Sequence, residues 1–157
     1  MRAFQDDIPN NYCFGCGPLN EKGLHIKSFW GGERQSYCRF MPQVYHAAGP
    51  LHFVNGGIIA TVIDCHCICT AGAYAYQSAG REIGTGATIW FVTGKLEVEY
   101  KNPAKIDREI FLQANIDEVG ERKTFVSCLL YSDDVLCASA KVIAVRVAKE
   151  WLERSDI

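Results

Sequence analysis

The stretch from Asn55 to Tyr76 constrains the fold most, because it is long, almost entirely apolar and carries a single carboxylate, Asp64. It contains no Lys, Arg or Glu, and it opens with a capping Asn followed by Gly56 and Gly57. Such a segment predicts one helix that is covered on nearly all sides. A carboxylate inside it is costly unless it has a partner or a task. We therefore expect the rest of the chain to wrap this helix, with Asp64 as a candidate functional group.

The same stretch has the length of a membrane span, which needs roughly 20 residues. However, Asp64 and His66 fall near its middle, where a charge costs about 2.5–3.5 kcal/mol on insertion scales. The flanks also lack basic anchors. We therefore expect a helix buried in a folded domain and no membrane partner.

Composition narrows the class of protein further. The 157 residues, 48% apolar and 22% charged, fit one globular domain. A net charge of −2 gives no general attraction to nucleic acid, so no nucleic-acid partner is expected. Residues 1–11 are polar and acidic without the apolar core of an export signal, which predicts a cytoplasmic protein. The eight cysteines are then expected to be free, buried thiols.

Alternating apolar residues and turn signals predict the element order. The predicted strands cover residues 24–30, 35–41, 89–100, 110–119, 124–132 and 135–147, with an ambiguous strand-like segment over 83–89. Gly80 is the expected C-cap of the helix. We predict an irregular N-terminal segment over 1–23, a single domain over 24–148 and a polar tail over 149–157. Two strands, one helix and a run of strands favour an α+β fold.

This order resembles the hotdog fold, in which a curved antiparallel sheet wraps around one long central helix. Asn55-Gly-Gly-Ile-Ile-Ala-Thr-Val-Ile-Asp64 resembles the His-Gly-Gly…Asp motif of the PaaI/THEM-type acyl-CoA thioesterases. Residues 13–24, with their Cys-Phe-Gly-Cys-Gly-Pro start, are similar to the N-terminal signature of one branch of that family. Residues 93–105 are similar to its strand that leads into a Pro turn. The similarity covers roughly residues 13–147.

The resemblance implies what the chain binds and how it assembles. The substrates would be thioesters of coenzyme A, hydrolysed to a free acid and a thiol, with no cofactor or metal beyond the coenzyme A of the substrate. The family forms homodimers whose sheets join edge to edge, often paired again into tetramers. Active sites would lie at the dimer interface.

The resemblance also assigns roles to residues. Asp64 would be the general base or nucleophile, the Gly56 N–H would bind the thioester oxygen, and Thr93 would hold the water. Physical chemistry agrees, because the first N–H groups of a helix lack intrahelical partners and carry the positive end of its dipole. The rise of 1.5 Å per residue separates Gly56 from Asp64 by roughly 12 Å. We therefore expect Gly56 of one chain to act with Asp64 of its mate.

One position departs from the family pattern. Asn55 stands where the family often has His; Asn can cap the helix and donate a hydrogen bond, but it cannot titrate near neutral pH. His46 and His52 in the preceding loop are candidates for the missing imidazole, and spacing selects neither. Gly57 is a further candidate for substrate binding. For the coenzyme A phosphates the candidates are Arg81, Lys101, Lys105, Arg122 and Lys123, of which the hairpin-tip pair Arg122 and Lys123 is preferred.

The cysteines suggest no metal site from sequence spacing. Cys13-x-x-Cys16 is half of a zinc knuckle, but the usual second pair is absent nearby. Cys65 and Cys69 share a helix face at a spacing unlike a knuckle. We therefore predict no metal ligands and explain the glycine-rich loop by turn geometry.

Two other functions remain open at this point. A hotdog dehydratase or hydratase would pair an acid with a His on the helix, but Asp64 and His66 lie on different faces, so His66 is expected to be a packed core residue. A non-catalytic protein that binds acyl thioesters or serves as a scaffold is favoured by Asn55. Asp64 could then be a structural acid in the dimer interface, and Thr93 an ordinary strand residue.

Overall fold

The computed structural model describes residues 2–153. Its strands are β1 (Lys27–Trp30), β2 (Gln35–Phe40), β3 (Trp90–Tyr100), β4 (Ile110–Val119), β5 (Lys123–Ser132) and β6 (Val135–Val147), and its helices are α1 (Gly56–Ser78) and α2 (Lys149–Leu152). Short 3₁₀ turns span Phe4–Asp7 and Val44–His46. Residue 1 and residues 154–157, the outer ends of the predicted terminal segments, lie outside the described residues.

The six strands form one antiparallel sheet in the order β1-β2-β4-β5-β6-β3, so β1 and β3 are its edges. Helix α1 packs across one face of this sheet and contacts every strand. The arrangement is the predicted hotdog fold, with one long helix held by a curved sheet.

Residues at both ends of α1 explain its bounds. The Asn55 side chain accepts hydrogen bonds from the N–H groups of Gly57, at 2.7 Å, and Ile58, at 3.4 Å. This satisfies two donors that a helix start leaves unpaired. At the other end, Gly80 has φ +65°, the left-handed conformation that ends many helices. The C-cap itself is Ala79, one residue before the predicted Gly80, and Gly80 is the left-handed residue that follows it.

The core lies between α1 and the sheet. Alternate residues of β4 point into it: Ile110, Leu112 and Ala114 are fully buried, as the period-two pattern predicts. From α1, Val62 and Ile63 meet them. The helix is long and apolar enough to cross a membrane, and more than half of its most apolar window is buried in the chain's own fold. The central helix of a folded domain has these same properties.

One strand is shorter than the sequence predicted. The first strand begins at Lys27, because His25 has φ +53° and the N–H groups of Leu24 and Ile26 bond instead to the carbonyls of Phe14 and Gly15. Leu24 and Ile26 therefore hydrogen-bond with the loop that contains Cys13 and Cys16 rather than with the sheet.

The segment 83–89 is not a strand. Gly84 and Gly86 have φ of +80° and +66°, which extended backbone does not allow. Gly84 also lies against the carbonyl of Asp7, where a Cβ would come within 2.0 Å of the oxygen. The segment is a loop that holds the N-terminal turn.

Candidate active site

A carboxylate and a hydroxyl meet where α1 passes β3. Asp64 lies in the third turn of the helix, and the Thr93 hydroxyl donates a hydrogen bond to its Oδ1 at 2.7 Å. The two residues are 29 positions apart in sequence. The structure therefore brings together the two side chains that the resemblance selected.

A β-bulge explains why Thr93 faces the helix. Thr93 pairs with Ala144 of β6, whereas Lys95 pairs with Ile143, so Gly94 is an extra residue between them. Neighbouring residues of β6 point to opposite faces, and Ala144 is fully buried on the helix side. Thr93 therefore points toward the helix, while Lys95 points away from it.

The surroundings of Asp64 raise its pKa. Burial is the largest cause, and the nearby Cys16 adds to it, while the hydrogen bond from Thr93 acts in the opposite direction. A carboxylate with a raised pKa accepts a proton more readily than a solvated one. The Thr93 hydrogen bond also fixes which carboxylate oxygen stays free.

Asp64 and Thr93 lie on the wall of a cavity of about 280 Å³. Most of its lining is apolar and comes from α1, the start of β3 and the N-terminal segment; it includes Ile8, Ile68, Ile89, Trp90, Phe91 and Val92. The contribution of the N-terminal segment was missed by sequence reasoning, because periodicity carries no information on long-range loop contacts. The cavity can hold an apolar group beside the carboxylate.

The start of α1 offers one backbone donor. Asn55 uses the N–H groups of Gly57 and Ile58, and Tyr100 donates its hydroxyl proton to the Gly56 carbonyl at 2.7 Å. The hydrogen bonds among residues 2–153 include none from the Gly56 N–H. Of the two glycines proposed to bind substrate, Gly56 has its donor available and Gly57 has its donor engaged by the cap.

The two loop histidines differ in environment. His46 is buried against Phe40; its Nδ1 accepts a hydrogen bond from the Gln43 N–H at 2.9 Å, and burial lowers the pKa of its ring. Its carbonyl accepts from the Asn55 N–H at 2.9 Å, so His46 holds the loop that precedes α1. His52 is exposed.

The proposed phosphate ligands lie apart from this cavity within one chain. Arg122 lines a surface pocket with Tyr74 and Ser78, near the C-terminal end of α1. By the helix rise, Tyr74 is about 27 Å along the axis from Gly56 and about 15 Å from Asp64. Lys123 begins β5 beside Arg122.

His66 belongs to a buried polar network. The prediction that it is a packed core residue is therefore confirmed. Its Nδ1 lies 2.8 Å from the Ser28 hydroxyl and its Nε2 lies 3.4 Å from the Ser36 hydroxyl. Gln5 and Thr70 extend the network on either side. Complete burial lowers the pKa of His66 to about 4. The ring is thus neutral, enclosed and absent from the lining of the cavity.

Comparison with known proteins identifies the family of the chain. The family model for the thioesterase superfamily matches residues 51–139, which include α1 with Asp64 and β3 with Thr93. The chain belongs to the thioesterase superfamily. A solved superfamily protein from Shewanella loihica PV-4 is 36% identical, covers 78% of this chain and 91% of its own, and superposes with a TM-score of 0.60.

Other known proteins share the fold or part of the sequence with this chain. The PaaI protein of E. coli superposes with a TM-score of 0.64 over 80% of this chain and 81% of its own, at 11% identity. Acyl-coenzyme A thioesterase THEM4 of Xenopus laevis is 34% identical over 65% of this chain and 40% of its own length. The rat protein of the same name is 30% identical over 71% of this chain and 43% of its own. The chain therefore spans less than half the length of these curated relatives.

Proposed function

We propose that this chain hydrolyses acyl-CoA thioesters to a free acid and coenzyme A. The observation that carries the proposal is the hydrogen bond between Thr93 and Asp64 on the wall of an apolar cavity. The name of the THEM4 relatives supports the substrate class. Coenzyme A enters as part of the substrate, and the reaction requires no other cofactor.

In the proposed reaction, Asp64 acts as the general base. Its free carboxylate oxygen takes a proton from water as the water oxygen attacks the thioester carbonyl carbon. The Gly56 N–H, at the positive end of α1, stabilises the oxyanion that forms. When the C–S bond breaks, the coenzyme A thiolate takes up the proton and the acid leaves. Thr93 orients the carboxylate through its hydrogen bond.

This mechanism requires two chains. Gly56 and Asp64 lie roughly 12 Å apart along one helix axis, too far to act on one carbonyl group. We propose a homodimer in which Gly56 of one chain faces Asp64 of the other. The edge strand β3 supports this, since its 11 residues pair only with β6 among the described strands. An edge of that length readily pairs with a second copy.

The apolar cavity favours an apolar acyl group. Trp90, Phe91 and Ile68 would contact it, with the thioester beside Asp64. Arg122 and Lys123 are proposed to bind the phosphate groups of coenzyme A. The pantetheine arm of coenzyme A separates these phosphates from the thioester.

A hydrolysis screen over short-chain, long-chain and aromatic acyl-CoAs tests the proposal. The wild-type chain should hydrolyse at least one of these classes, and Asp64→Asn should lower kcat by about 10²–10⁴, the usual contribution of a general base. Asp107→Asn, which changes an exposed loop carboxylate, is the control and should keep the wild-type rate. Full activity of Asp64→Asn would rule out the mechanism. Binding of acyl-CoA without hydrolysis by the wild-type chain would favour a non-catalytic binding protein.

A further inference from the structure

Four cysteines that are far apart in sequence meet beside the cavity. Cys13 and Cys16 come from the N-terminal loop, and Cys65 and Cys69 come from α1. The Sγ atoms of Cys13 and Cys65 are 3.5 Å apart, and those of Cys16 and Cys69 are 3.7 Å apart. The Sγ atoms of Cys13, Cys16 and Cys65 all lie within 4.8 Å of one another. The loop and the helix thus each supply one pair of sulfurs to a common cluster.

The N-terminal loop is built to sit on the helix at this point. A Cβ at Gly15 would lie 2.3 Å from the Cys65 Sγ, so only glycine permits this approach. Within the loop, the Gly17 N–H donates to the Cys13 carbonyl at 2.7 Å, and the Cys13 N–H donates to Asn11 Oδ1 at 3.1 Å. The sulfurs are therefore held by a defined turn.

The remaining buried thiols serve as a comparison. Cys38 and Cys137 are directed at backbone carbonyl oxygens, as expected for cysteines that pack as small apolar residues. Cys128 is directed at the Leu129 carbonyl and also contacts the Cys67 thiol. In the cluster four thiols from two segments meet, rather than one or two. The Asn11 amide contributes one further contact, at 3.7 Å from the Cys16 Sγ. Three sulfurs that could reach one ion, with a fourth 3.7 Å from one of them, form a different arrangement from ordinary packing.

We propose that Cys13, Cys16, Cys65 and Cys69 bind one divalent metal ion of the zinc type. Zn²⁺ takes four thiolates at about 2.3 Å in a tetrahedron, which sets neighbouring sulfurs about 3.8 Å apart. The two contacts of 3.5 Å and 3.7 Å are close to this value. A set of four sulfurs favours Zn²⁺ over Mg²⁺ or Ca²⁺, which prefer oxygen ligands.

Sequence spacing could not indicate this site, because the two halves are 52 and 53 residues apart. The loop supplies a Cys-x-x-Cys pair and the helix supplies cysteines at positions i and i+4, which share one face. All four residues line the apolar cavity. A bound ion would fasten the N-terminal segment to α1 and fix one wall of that cavity, without a part in the reaction.

Metal binding to the full-length, reduced chain tests the inference. After incubation with Zn²⁺ alone and dialysis, the wild-type chain should retain close to one equivalent by elemental analysis. Co²⁺ in its place should give the intense near-ultraviolet absorption of thiolate-to-metal charge transfer. Cys13→Ser should lower zinc affinity at least roughly tenfold. Cys13 is exposed, so this variant should keep its fold. Cys137→Ala, which removes a buried thiol outside the cluster, should bind as the wild type does.

Thermal unfolding gives a second readout that is independent of thioester hydrolysis. Because Zn²⁺ would bind the folded state, it should raise the Tm of the wild type and of Cys137→Ala but not of Cys13→Ser. Zinc retention no greater than that of Cys13→Ser would overturn the proposal. A Cys13–Cys65 disulfide that forms in place of metal binding would overturn it as well. Neither result bears on whether the chain is a thioesterase.

Discussion

Thr93 is the residue whose contact with Asp64 can be tested most directly. Its hydrogen bond lowers the pKa of Asp64, against the larger effect of burial. Thr93→Val should therefore raise the pKa of Asp64, since the carboxylate loses a donor that stabilises its charged form. The acidic limb of the kcat/KM profile, where Asp64 becomes protonated, should move to higher pH.

Thr93→Ser is the matched control, because it keeps the hydroxyl and should keep the position of the acidic limb. An unchanged limb in Thr93→Val would mean that Asp64 is not the titrating base.

His66 predicts a loss of stability in acid. Its folded pKa is about 4, below the unfolded value of about 6.5, so the unfolded state binds more protons between these values. The free energy of unfolding should therefore fall as pH drops from about 6.5 to about 4, by up to about 3 kcal/mol. Urea unfolding of the wild type and of His66→Asn, measured at several pH values in this range, should show a smaller drop in the free energy of unfolding for the variant. His52→Asn, which changes an exposed His, should keep the wild-type slope.

At the scale of the helix, Asn55 links stability to catalysis. Asn55→Ala removes the cap on Gly57 and Ile58 and should cost about 1 kcal/mol of folding stability in urea unfolding. Asn55→Asp should keep the cap, and its negative charge favours the helix dipole. The same charge opposes an oxyanion at the Gly56 N–H, so kcat should fall while stability holds. Wild-type kcat in Asn55→Asp would place the reacting oxygen away from this helix end.

The strands show how much of the fold can be predicted from sequence periodicity. Strand β4 was predicted with its observed bounds, because its inward residues alternate without interruption. Strand β3 is different: period two from Leu96 and Val98 places Thr93 on the outward face with Lys95. The bulge at Gly94 reverses that direction. Only the family resemblance selected Thr93, because a bulge leaves no regular pattern to detect.

The hairpin between β5 and β6 is a second case in which the local sequence was sufficient to predict the structure. Asp133 and Asp134 have φ of +50° and +60°, which matches the two-residue turn that suits twisted strands. Asp residues tolerate this conformation better than most, so the pair marked the turn in the sequence.

At the scale of the whole molecule, the proposed shared site predicts complementation. Asp64→Asn lacks the base, and Gly56→Pro lacks the backbone donor while keeping a residue favoured at the first helical position. Each should be inactive alone. In a mixed dimer, Gly56 of the first variant would face Asp64 of the second, so refolding an equal mixture should restore about a quarter of wild-type activity.

Gly56→Ala is the control for the proline variant. Its Cβ would lie 3.5 Å from the Tyr100 hydroxyl, an ordinary contact, and it keeps the N–H, so it should remain active. A mixture without activity would place both groups of the site in one chain and remove the argument for a dimer.

The sequence did not predict the long-range contacts of the N-terminal segment. It predicted an irregular loop around Cys13 and Cys16, but not that this loop forms part of the cavity wall. Contacts between segments about fifty residues apart depend on how the sheet curves around α1, and no local pattern encodes that curvature.

The extra residue in β3 has a consequence for protein engineering. Deleting Gly94 would leave a strand of ordinary composition and would barely change any measure of overall similarity. It would also restore a regular ladder with β6. Thr93 would still pair with Ala144 and Lys95 with Ile143, so the hydroxyl of residue 93 would keep facing the helix. Relatives that lack this residue can therefore keep the contact between strand and helix, although the spacing from residue 93 to the rest of the strand is shorter by one. Their alignments should be checked for the length of this strand as well as for the identity of its residues.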